Sequence, residues 1–595
     1  MLFGFGLALA ALATASVPVR AQSVEGTWKV SYVTGGISES TVAIVKVAVK
    51  DGKTTGEMIA GTPRFKNFAF QSVTQEGNVL RVATKVGATD LIFEATVPKQ
   101  ATKSLRGVMA IGDTLYPATM TVTDETELTA MTSARTLDVA PMKEARTLLN
   151  QPLLLRNRAA LSKDPEKKKD LLKQASEADK KAKAETPKLF RQVVDQFADS
   201  PAVLEASLAL IKSGKTTPAN PGDVKAWAAV GAAAANSYGP RLEVDFTSQV
   251  AAALVPLEGM EKLALEYARL SEKALAPKAS AGDQVKVLGT LVKALKKAGA
   301  ADEAKTLDVR IDKLNQVLDT EYSAKYPGFK GTVFKGREGK SDRAVFMELF
   351  TGATCPPCVA ADLAFDVLQK TYKPSELVLI QYHMHIPGPD PMTNKDTIAR
   401  WDYYGPAWAG KPRGVPSSIF NGKPAEKPAQ SGGFFEHAEQ KYADYCNVIN
   451  PLLEEKADVK LVVAVSRDGD QININAKVSD LNEPGATKKL RILLAEETVH
   501  YAGSNKIRLH HNVVRAFPGG VEGMTLKDAA SVHKTSIKLG ELRTSLTKYL
   551  DDFEANVREF ANPARPMAME HLRVIAFVQD DESRQILQAV QVDVK

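Results

Sequence analysis

The chain has 595 residues, of which 44% are hydrophobic and 25% are charged. That length is too great for one hydrophobic core and predicts about four domains. The formal net charge is +7, and lysines alternate with acids in segments such as DPEKKKDLLKQASEADKKAKAE, so the charge pattern does not indicate a nucleic-acid partner. Only three cysteines are present, which excludes a small disulfide-stapled scaffold.

The amino terminus reads MLFGFGLALAALATASVPVRAQSVEG, an apolar run followed by small residues. Val19-Arg20-Ala21 has a small-x-small pattern, so residues 1–21 are predicted to be a secretory signal peptide. We therefore expect an exported protein of the periplasm, cell envelope or extracellular space, with no integral membrane span after cleavage. A retained membrane anchor is the alternative, because the apolar run is close to the minimum length for spanning a bilayer.

Residues 22–135 contain short segments of alternating hydrophobicity, such as GTWKVSYV and DLIFEATV, separated by turn sequences such as KDGKTTG. This pattern predicts an antiparallel β-barrel or β-sandwich of about eight strands. The opening Gly26-Thr27-Trp28 resembles the start of lipocalin-like barrels. Two possibilities stay open for this domain: a pocket for an apolar ligand, or an interior filled by its own side chains.

Residues 136–325 are rich in Ala, Leu, Lys and Glu at helical spacing, which predicts an α-helical array. Ser200 and Pro201 suit the start of one helix, and Gly299 suits the end of another. The segments resemble tetratricopeptide-type (TPR-like) helical hairpins, although the regular period of such repeats is absent. The array could be an interaction surface or a spacer.

Residues 326–455 alternate between strand and helix patterns. RAVFMELF is a nearly continuous apolar run, as expected for a strand buried on both faces. It leads into CPPC at 355–358, the helical segment VAADLAFDVLQKTY, the strand ELVLIQYHMH and, further on, GVPSSIF. Residues 456–595 return to alternating strands, including VKLVVAVSRDG, QININAKV and HLRVIAFVQDD, which predict an immunoglobulin-like β-sandwich.

The order of strand, CPPC, helix, strand and Val-Pro before a further strand resembles the thioredoxin superfamily. Pro416 in GVPSSIF stands at that family's cis-proline position, and the segment is similar to a group of exported bacterial thioredoxin-like proteins. The resemblance implies a thioredoxin-like α/β domain over residues 326–455 and an enzymatic activity, thiol–disulfide oxidoreductase. The implied partners are client proteins with thiols or disulfides and an unidentified redox partner, and no cofactor is implied.

The resemblance also implies roles for individual residues. Cys355 would be the exposed nucleophile at the start of a helix, where the partial positive charge of the helix terminus favours a thiolate. Cys358 would be the buried resolving thiol, so that the two form a reversible Cys355–Cys358 disulfide. Val415 and Pro416 would hold the substrate strand against Cys355.

Glu348 is the only acid in the apolar run AVFMELF, and burying an isolated carboxylate raises its pKa. Thioredoxins place a buried acid near this point, so Glu348 is the candidate proton acceptor for the resolving thiol; the alternative is a side chain that points to solvent or caps a loop. Trp401 lies in an aromatic, proline-rich insert, IPGPDPMTNKDTIARWDYYGPAWAGKPR. This insert could cover the cysteines and bind substrate, or could only pack against the domain.

Two other functions stay open. The chain could be a non-catalytic binding or cell-surface scaffold protein that keeps a structural disulfide. Alternatively, Cys355, Cys358, His383 and His385 could bind copper or zinc, because the two histidines in YHMH share one face of a strand. We expect no metal, since hydrogen-bonded histidines beside the site account for the same motif.

Overall fold

The computed structural model describes residues 24–595 apart from 51–52, 66–67, 87–88, 101, 113, 163, 216–218, 409–412, 559, 561 and 563. The predicted signal peptide, residues 1–21, lies outside the described residues. The chain divides into two compact units, Met1–Val317 and Leu318–Lys595. Each helix in the described part of the chain is too short or too polar to cross a bilayer.

The first unit begins with antiparallel strands. They are β1 (Gly26–Thr34), β2 (Ser38–Lys50), β3 (Lys53–Gly61), β4 (Phe68–Glu76), β5 (Val79–Val86), β6 (Thr89–Thr96), β7 (Ser104–Ile111), β8 (Thr114–Val122) and β9 (Ala134–Thr136). Their order in the sheet is β3-β2-β1-β8-β7-β6-β5-β4, with β9 on β2. The end strands β3 and β4 face each other so closely that a Cβ atom on Gly56 would collide with Val73, so the sheet nearly closes into the predicted barrel.

Buried side chains occupy the interior of this barrel. Trp28, Phe93 and Met120 are among the residues that pack there, and none of the three is more than 3% exposed. Since large apolar side chains contact one another across the interior, the described residues match the filled barrel, the second of the two possibilities left open by the sequence.

Helices follow the barrel, as predicted. They are α1 (Ala140–Leu161), α2 (Pro165–Gln196), α3 (Ala202–Ser213), α4 (Pro221–Asn236), α5 (Pro240–Leu254), α6 (Glu261–Ala274), α7 (Ala281–Lys297) and α8 (Ala301–Lys325). Local sequence sets their ends: the Ala202 amide donates to Ser200 Oγ at 3.2 Å, and Gly299 adopts a positive φ of 81° after α7. Val193, Leu210 and Phe246 contribute to a shared core, so each helix is held by burying one face.

The second unit contains strands, helices and two sheets. Its elements are β10 (Val345–Thr351), α9 (Val359–Thr371), β11 (Leu377–His383), α10 (Lys395–Tyr403), β12 (Ser417–Phe420), β13 (Lys423–Pro424), α11 (Ala438–Leu452), β14 (Lys460–Asp468), β15 (Gln471–Ser479), β16 (Gly485–His500), β17 (Leu509–Ala516), β18 (Met524–Leu526), β19 (Ser531–Lys538), α12 (Leu539–Asn556), β20 (Leu572–Asp580) and β21 (Ile586–Asp593).

One sheet has the order β13-β12-β10-β11-β17-β16-β20-β21, with β18 on β16, and the other has the order β14-β15-β19. β10 pairs with β11 and β11 pairs with β17 in parallel, whereas β12 pairs with β10 antiparallel. The strands β16, β17, β20 and β21 therefore extend the sheet that contains β10, whereas β14, β15 and β19 form the second sheet.

The burial pattern explains this difference from the predicted immunoglobulin-like sandwich. In a sandwich each strand buries one face, but Ile492 and Leu493 of β16 are both buried, on opposite faces of the sheet. Ile492 packs towards the β14-β15-β19 sheet, and Leu493 packs with Phe346 of β10. The strand β16 is thus part of a central layer that is covered on both sides.

Substitution by alanine should have opposite effects on stability at two helix-interior glycines of the first unit. A Cβ at Gly231 in α4 would collide with the ring of Phe246, whereas a Cβ at Gly289 in α7 meets nothing within 4 Å. Gly231→Ala should destabilise by about 1–3 kcal/mol despite alanine's better helix propensity, because overpacking dominates. Gly289→Ala should stabilise by up to about 1 kcal/mol. Denaturation followed by circular dichroism checks both signs; stabilisation by Gly231→Ala would contradict the α4–α5 packing.

Candidate functional site

Cys355 and Cys358 form a disulfide immediately before α9. Cys355 stands just before a 3-10 turn, Pro356–Cys358, which leads directly into α9. The two cysteines therefore lie at the amino-terminal end of the helix, where the helix macrodipole stabilises negative charge. This is the position that the sequence pattern predicts for a reactive pair.

Cys355, expected to be exposed, is instead 1% exposed. Its Sγ lies 3.6 Å from the carbonyl oxygen of Val415, and the peptide bond between Val415 and Pro416 is cis. Gly432 lies against both prolines beside the site, since a Cβ on it would be 2.9 Å from Pro357 Cβ and 3.4 Å from Pro416 Cδ. The structure therefore brings the predicted residues Cys355, Val415 and Pro416 together, but the Cys355 sulfur is not accessible to a protein substrate in this conformation.

Glu348 is buried, as the sequence indicates, but it faces away from the cysteines. Leu349 packs in the core that includes α9, whereas Phe350 packs with Tyr404 on the opposite face of the sheet, and strand side chains alternate. On that opposite face Arg400 donates to Glu348 through Nε at 2.8 Å and through Nη2 at 3.1 Å, and the Tyr404 hydroxyl also donates to Glu348. The assignment of Glu348 as the thiol's proton acceptor is therefore corrected: it is an ion-pair partner.

A different acid, Asp362, lies on the cysteine side of the sheet. It follows Cys358 by four residues, which places the two one turn apart on the same face of α9. Thr351 Oγ1 donates to Asp362 at 3.0 Å and Gln381 Nε2 donates at 3.3 Å. Burial raises the pKa of Asp362 to about 7, while the charge of His383 and the Thr351 hydrogen bond act in the opposite direction. A carboxyl with that pKa can accept and return a proton near neutrality.

Asp390 holds the loop that precedes the cysteines. Its Oδ2 accepts a hydrogen bond from the Ala353 amide at 2.7 Å, and its Oδ1 accepts one from the Met392 amide at 2.9 Å. Burial opposes its ionisation, but the charge of His383 and these hydrogen bonds outweigh burial and lower the pKa of Asp390. Neither Asp390 nor Asp362 is among the site residues predicted from the sequence, although the four-residue spacing of Asp362 from Cys358 is a signal that indicates it.

His383 and His385 have separate partners. His383 Nδ1 lies 2.8 Å from Asp390 Oδ2, and the His383 ring meets the His510 ring edge-on with centroids 4.8 Å apart. His385 Nδ1 accepts from the Asp390 amide at 3.0 Å, and its ring stacks on Phe553 with centroids 3.7 Å apart. Among the residues with described positions, no group of three or more His, Cys, Asp or Glu side chains is arranged to hold a metal ion.

Trp401 is half-buried in the insert. Its ring packs on Phe350 with centroids 5.1 Å apart, and the guanidinium carbon of Arg413 lies 3.8 Å from the centroid of the Trp401 ring. Trp401 belongs to the same apolar cluster as Val415, the residue whose carbonyl faces Cys355. The structure thus shows the packing role for Trp401, and its role in binding substrate stays a prediction.

No protein-family model and no curated protein matches the chain. Comparison with solved structures finds HBP35 of Porphyromonas gingivalis, 17% identical with a TM-score of 0.30, over 43% of this chain and 77% of that one. It also finds protein AGR_C_4864 from Agrobacterium tumefaciens, 15% identical with a TM-score of 0.26, over 43% of this chain and 95% of that one. Similarity at these TM-scores carries no argument about fold or function.

The Glu348–Arg400 pair predicts a stability effect. Both side chains are 0% exposed, so Glu348→Gln leaves a buried guanidinium without its counter-charge and should cost about 3–5 kcal/mol. The double variant Glu348→Leu, Arg400→Met should recover most of that loss, because it buries no charge. Hydrogen exchange of the β10 amides, measured by mass spectrometry, reports the loss in the single variant and the recovery in the double variant. Equal protection in Glu348→Gln and the parent would contradict the pairing.

Asp362 predicts a pH-dependent stability. Below an unfolded-state pKa of about 4, both states bind the proton; between there and about pH 7 the folded state binds it more tightly, so folding stability falls as pH rises. Asp362→Asn removes this dependence and should gain stability relative to the parent across that window, at about 1.4 kcal/mol per pKa unit. Hydrogen exchange of the α9 amides, compared between the two proteins at several pH values, measures this difference in stability. A difference between the proteins that does not change with pH would contradict the raised pKa.

Proposed function

We propose that this chain is an exported thiol–disulfide oxidoreductase whose thioredoxin-like domain acts on protein thiols or disulfides through Cys355 and Cys358. The observation that carries the proposal is one arrangement: a disulfide at the start of α9, the carbonyl of Val415 3.6 Å from Cys355 Sγ, and a buried Asp362 one turn from Cys358. In thiol exchange, Cys355 supplies the nucleophile, the Val415 carbonyl supplies a backbone contact beside it, and Asp362 supplies the proton acceptor.

The strand order around the site supports the thioredoxin-like assignment. The spatial order of the strands in this part of the sheet is β11-β10-β12-β13. The pair β10 and β11 is parallel, whereas β12 is antiparallel to β10 and β13 is antiparallel to β12. A parallel pair of strands needs a crossover connection, which α9 supplies between β10 and β11. The helix α11 follows β13 and packs in the same core as α9, at the place that the family resemblance implies for the last helix.

The reaction in the reducing direction has two exchange steps. The Cys355 thiolate attacks a client disulfide, forms a sulfur–sulfur bond to the client and releases the other client sulfur as a thiolate. Cys358 then gives its proton to Asp362 and attacks Cys355 Sγ, which releases the second client thiolate and forms the Cys355–Cys358 disulfide. Two electrons pass from the pair to the client, and a thiol-bearing redox partner supplies two electrons to reduce the pair again.

The burial of Cys355 favours a second candidate function. Cys355 is 1% exposed, which is what a structural disulfide in a binding or scaffold protein would show. An enzyme whose disulfide is covered in the oxidised state would show the same burial. The two functions differ in whether the bond exchanges with an external disulfide or thiol.

Reduction of insulin by dithiothreitol, followed by turbidity, separates these two functions. The parent chain from Gln22 onwards should accelerate precipitation, and Cys355→Ser should abolish the acceleration because the attacking sulfur is gone. Cys446→Ser is the matched control, since Cys446 is the half-buried third cysteine, lies on α11 and packs against the core that α11 shares with α9. Its activity should equal that of the parent.

A trapping experiment with the other cysteine completes the test. Cys358→Ser should accumulate a mixed disulfide with the client, visible as a mass increase, because the resolving thiol is absent. No acceleration by the parent and no trapped adduct would support the scaffold function. Activity that survives Cys355→Ser would refute the assignment of the nucleophile.

A further inference from the structure

A line of buried polar side chains runs from the disulfide along one face of α9. Cys358, Asp362 and Asp366 are spaced four residues apart, so they lie on the same side of the helix at successive turns. Asp362 faces β11 through its hydrogen bond from Gln381, and Asp366 faces β17, where His511 Nε2 lies 3.6 Å from its Oδ1. Gln381 joins the two places, because its Oε1 accepts from the His511 amide at 3.1 Å.

Exposure increases along this line. Cys358 is 0% exposed and Asp362 is 2% exposed, whereas the side chains of Asp366 and His511 are 17% and 20% exposed. A proton that leaves the Cys358 thiol for Asp362 is therefore deposited at a place that solvent does not reach directly. The next ionisable group on the same helix face, Asp366, is the first one that meets solvent.

We propose that Asp366 is the residue through which Asp362 exchanges its proton with solvent when the Cys355–Cys358 disulfide closes or opens. The inference rests on the proposed thiol chemistry of the two cysteines. On closure, the S–H bond of Cys358 breaks, its proton goes to the Asp362 carboxylate, and the sulfur electron pair bonds to Cys355 Sγ as the leaving thiolate departs. Asp366 then releases its proton to water, and its carboxylate accepts the proton of Asp362, so one proton reaches solvent for each disulfide that closes. Asp366 contacts neither sulfur, so it acts through Asp362.

Electrostatics of the two carboxyls supports this exchange. Burial raises the pKa of Asp366, the neighbouring Asp362 raises it further, and Lys370 acts in the opposite direction. Two carboxyls one turn apart in a poorly solvated place do not ionise independently, and such a pair retains a proton at a pH where an exposed aspartate has lost its own. A proton can therefore be shared between the two groups near neutrality.

The surroundings keep the solvent end of the path neutral. Burial lowers the pKa of His511 to about 4, so its imidazole is uncharged near neutrality, and Thr498 Oγ1 lies 3.3 Å from its Nδ1. The neutral ring has one N–H donor and one acceptor nitrogen, and its Nε2 faces Asp366. Among the described residues, the other titratable groups that interact electrostatically with the two carboxyls include Lys370, Tyr322, His383, Asp390 and Tyr445.

The test uses a small disulfide, 5,5′-dithiobis(2-nitrobenzoate), and the full chain carrying Cys446→Ser. The reduced pair should release two coloured thiolates in sequence: the first when Cys355 attacks, the second when Cys358 resolves the mixed disulfide. Asp366→Asn should leave the first phase unchanged and slow the second by roughly tenfold, with an altered pH profile, because only the second step moves the buried proton. Asp366→Glu should restore the second phase.

The matched control is Asp402→Asn, at the end of α10, where the side chain is 70% exposed; it should show the parent rates in both phases. If Asp366→Asn does not fold, His511→Gln gives the second reading, with a slower second phase expected. The proposal would be overturned if the second phase of Asp366→Asn, or of His511→Gln where that variant is measured instead, had the parent's rate at every pH. A second phase in Asp366→Glu as slow as in Asp366→Asn would also overturn it. Failure of insulin reduction with both coloured phases intact would instead refute the proposed function alone.

Discussion

One buried carboxylate, that of Asp390, fixes the loop that positions the cysteines. It is 0% exposed and receives the Ala353 amide from the loop before Cys355, while His383 at the end of β11 contacts the same oxygen. An unpaired carboxylate in this place would be costly, so the hydrogen bonds and the segments that supply them form together or not at all. The end of β10, the end of β11 and the start of the insert are thereby held in one arrangement.

A second set of contacts covers the same loop from the carboxyl-terminal half of the chain. Asn505 donates through its side-chain amide to the Gly352 carbonyl at 3.1 Å, and its backbone amide donates to the Ala353 carbonyl at 3.1 Å. Gly503 lies so close to that carbonyl that a Cβ atom would collide with it. The segment between β16 and β17 is therefore part of the site's structure, and β17 pairs with β11 in the sheet that carries β10.

The local features of the site can be predicted from the sequence, but the pairings between side chains and between strands that are distant along the chain cannot. The apolar run of β10, the CPPC motif and the helical spacing of α9 are each contiguous, so their order and type can be predicted. Glu348 and Arg400 are 52 residues apart, and which face of β10 carries the acid depends on the strand's register in the folded sheet. Alternation in one strand does not reveal which sheet it joins, so the sequence predicts a separate sandwich where β16, β17, β20 and β21 in fact extend the sheet that contains β10.

We propose that the Cys355–Cys358 disulfide exchanges electrons and does not merely brace the fold. Equilibration of the full chain with glutathione buffers of graded potential, followed by acid quenching, alkylation and mass spectrometry, measures the potential of the pair. We predict half-reduction between about −270 and −120 mV, the span of thiol oxidoreductases, because the helix terminus stabilises the reduced thiolate. A disulfide that stays oxidised below about −300 mV, as structural disulfides do, would contradict the claim.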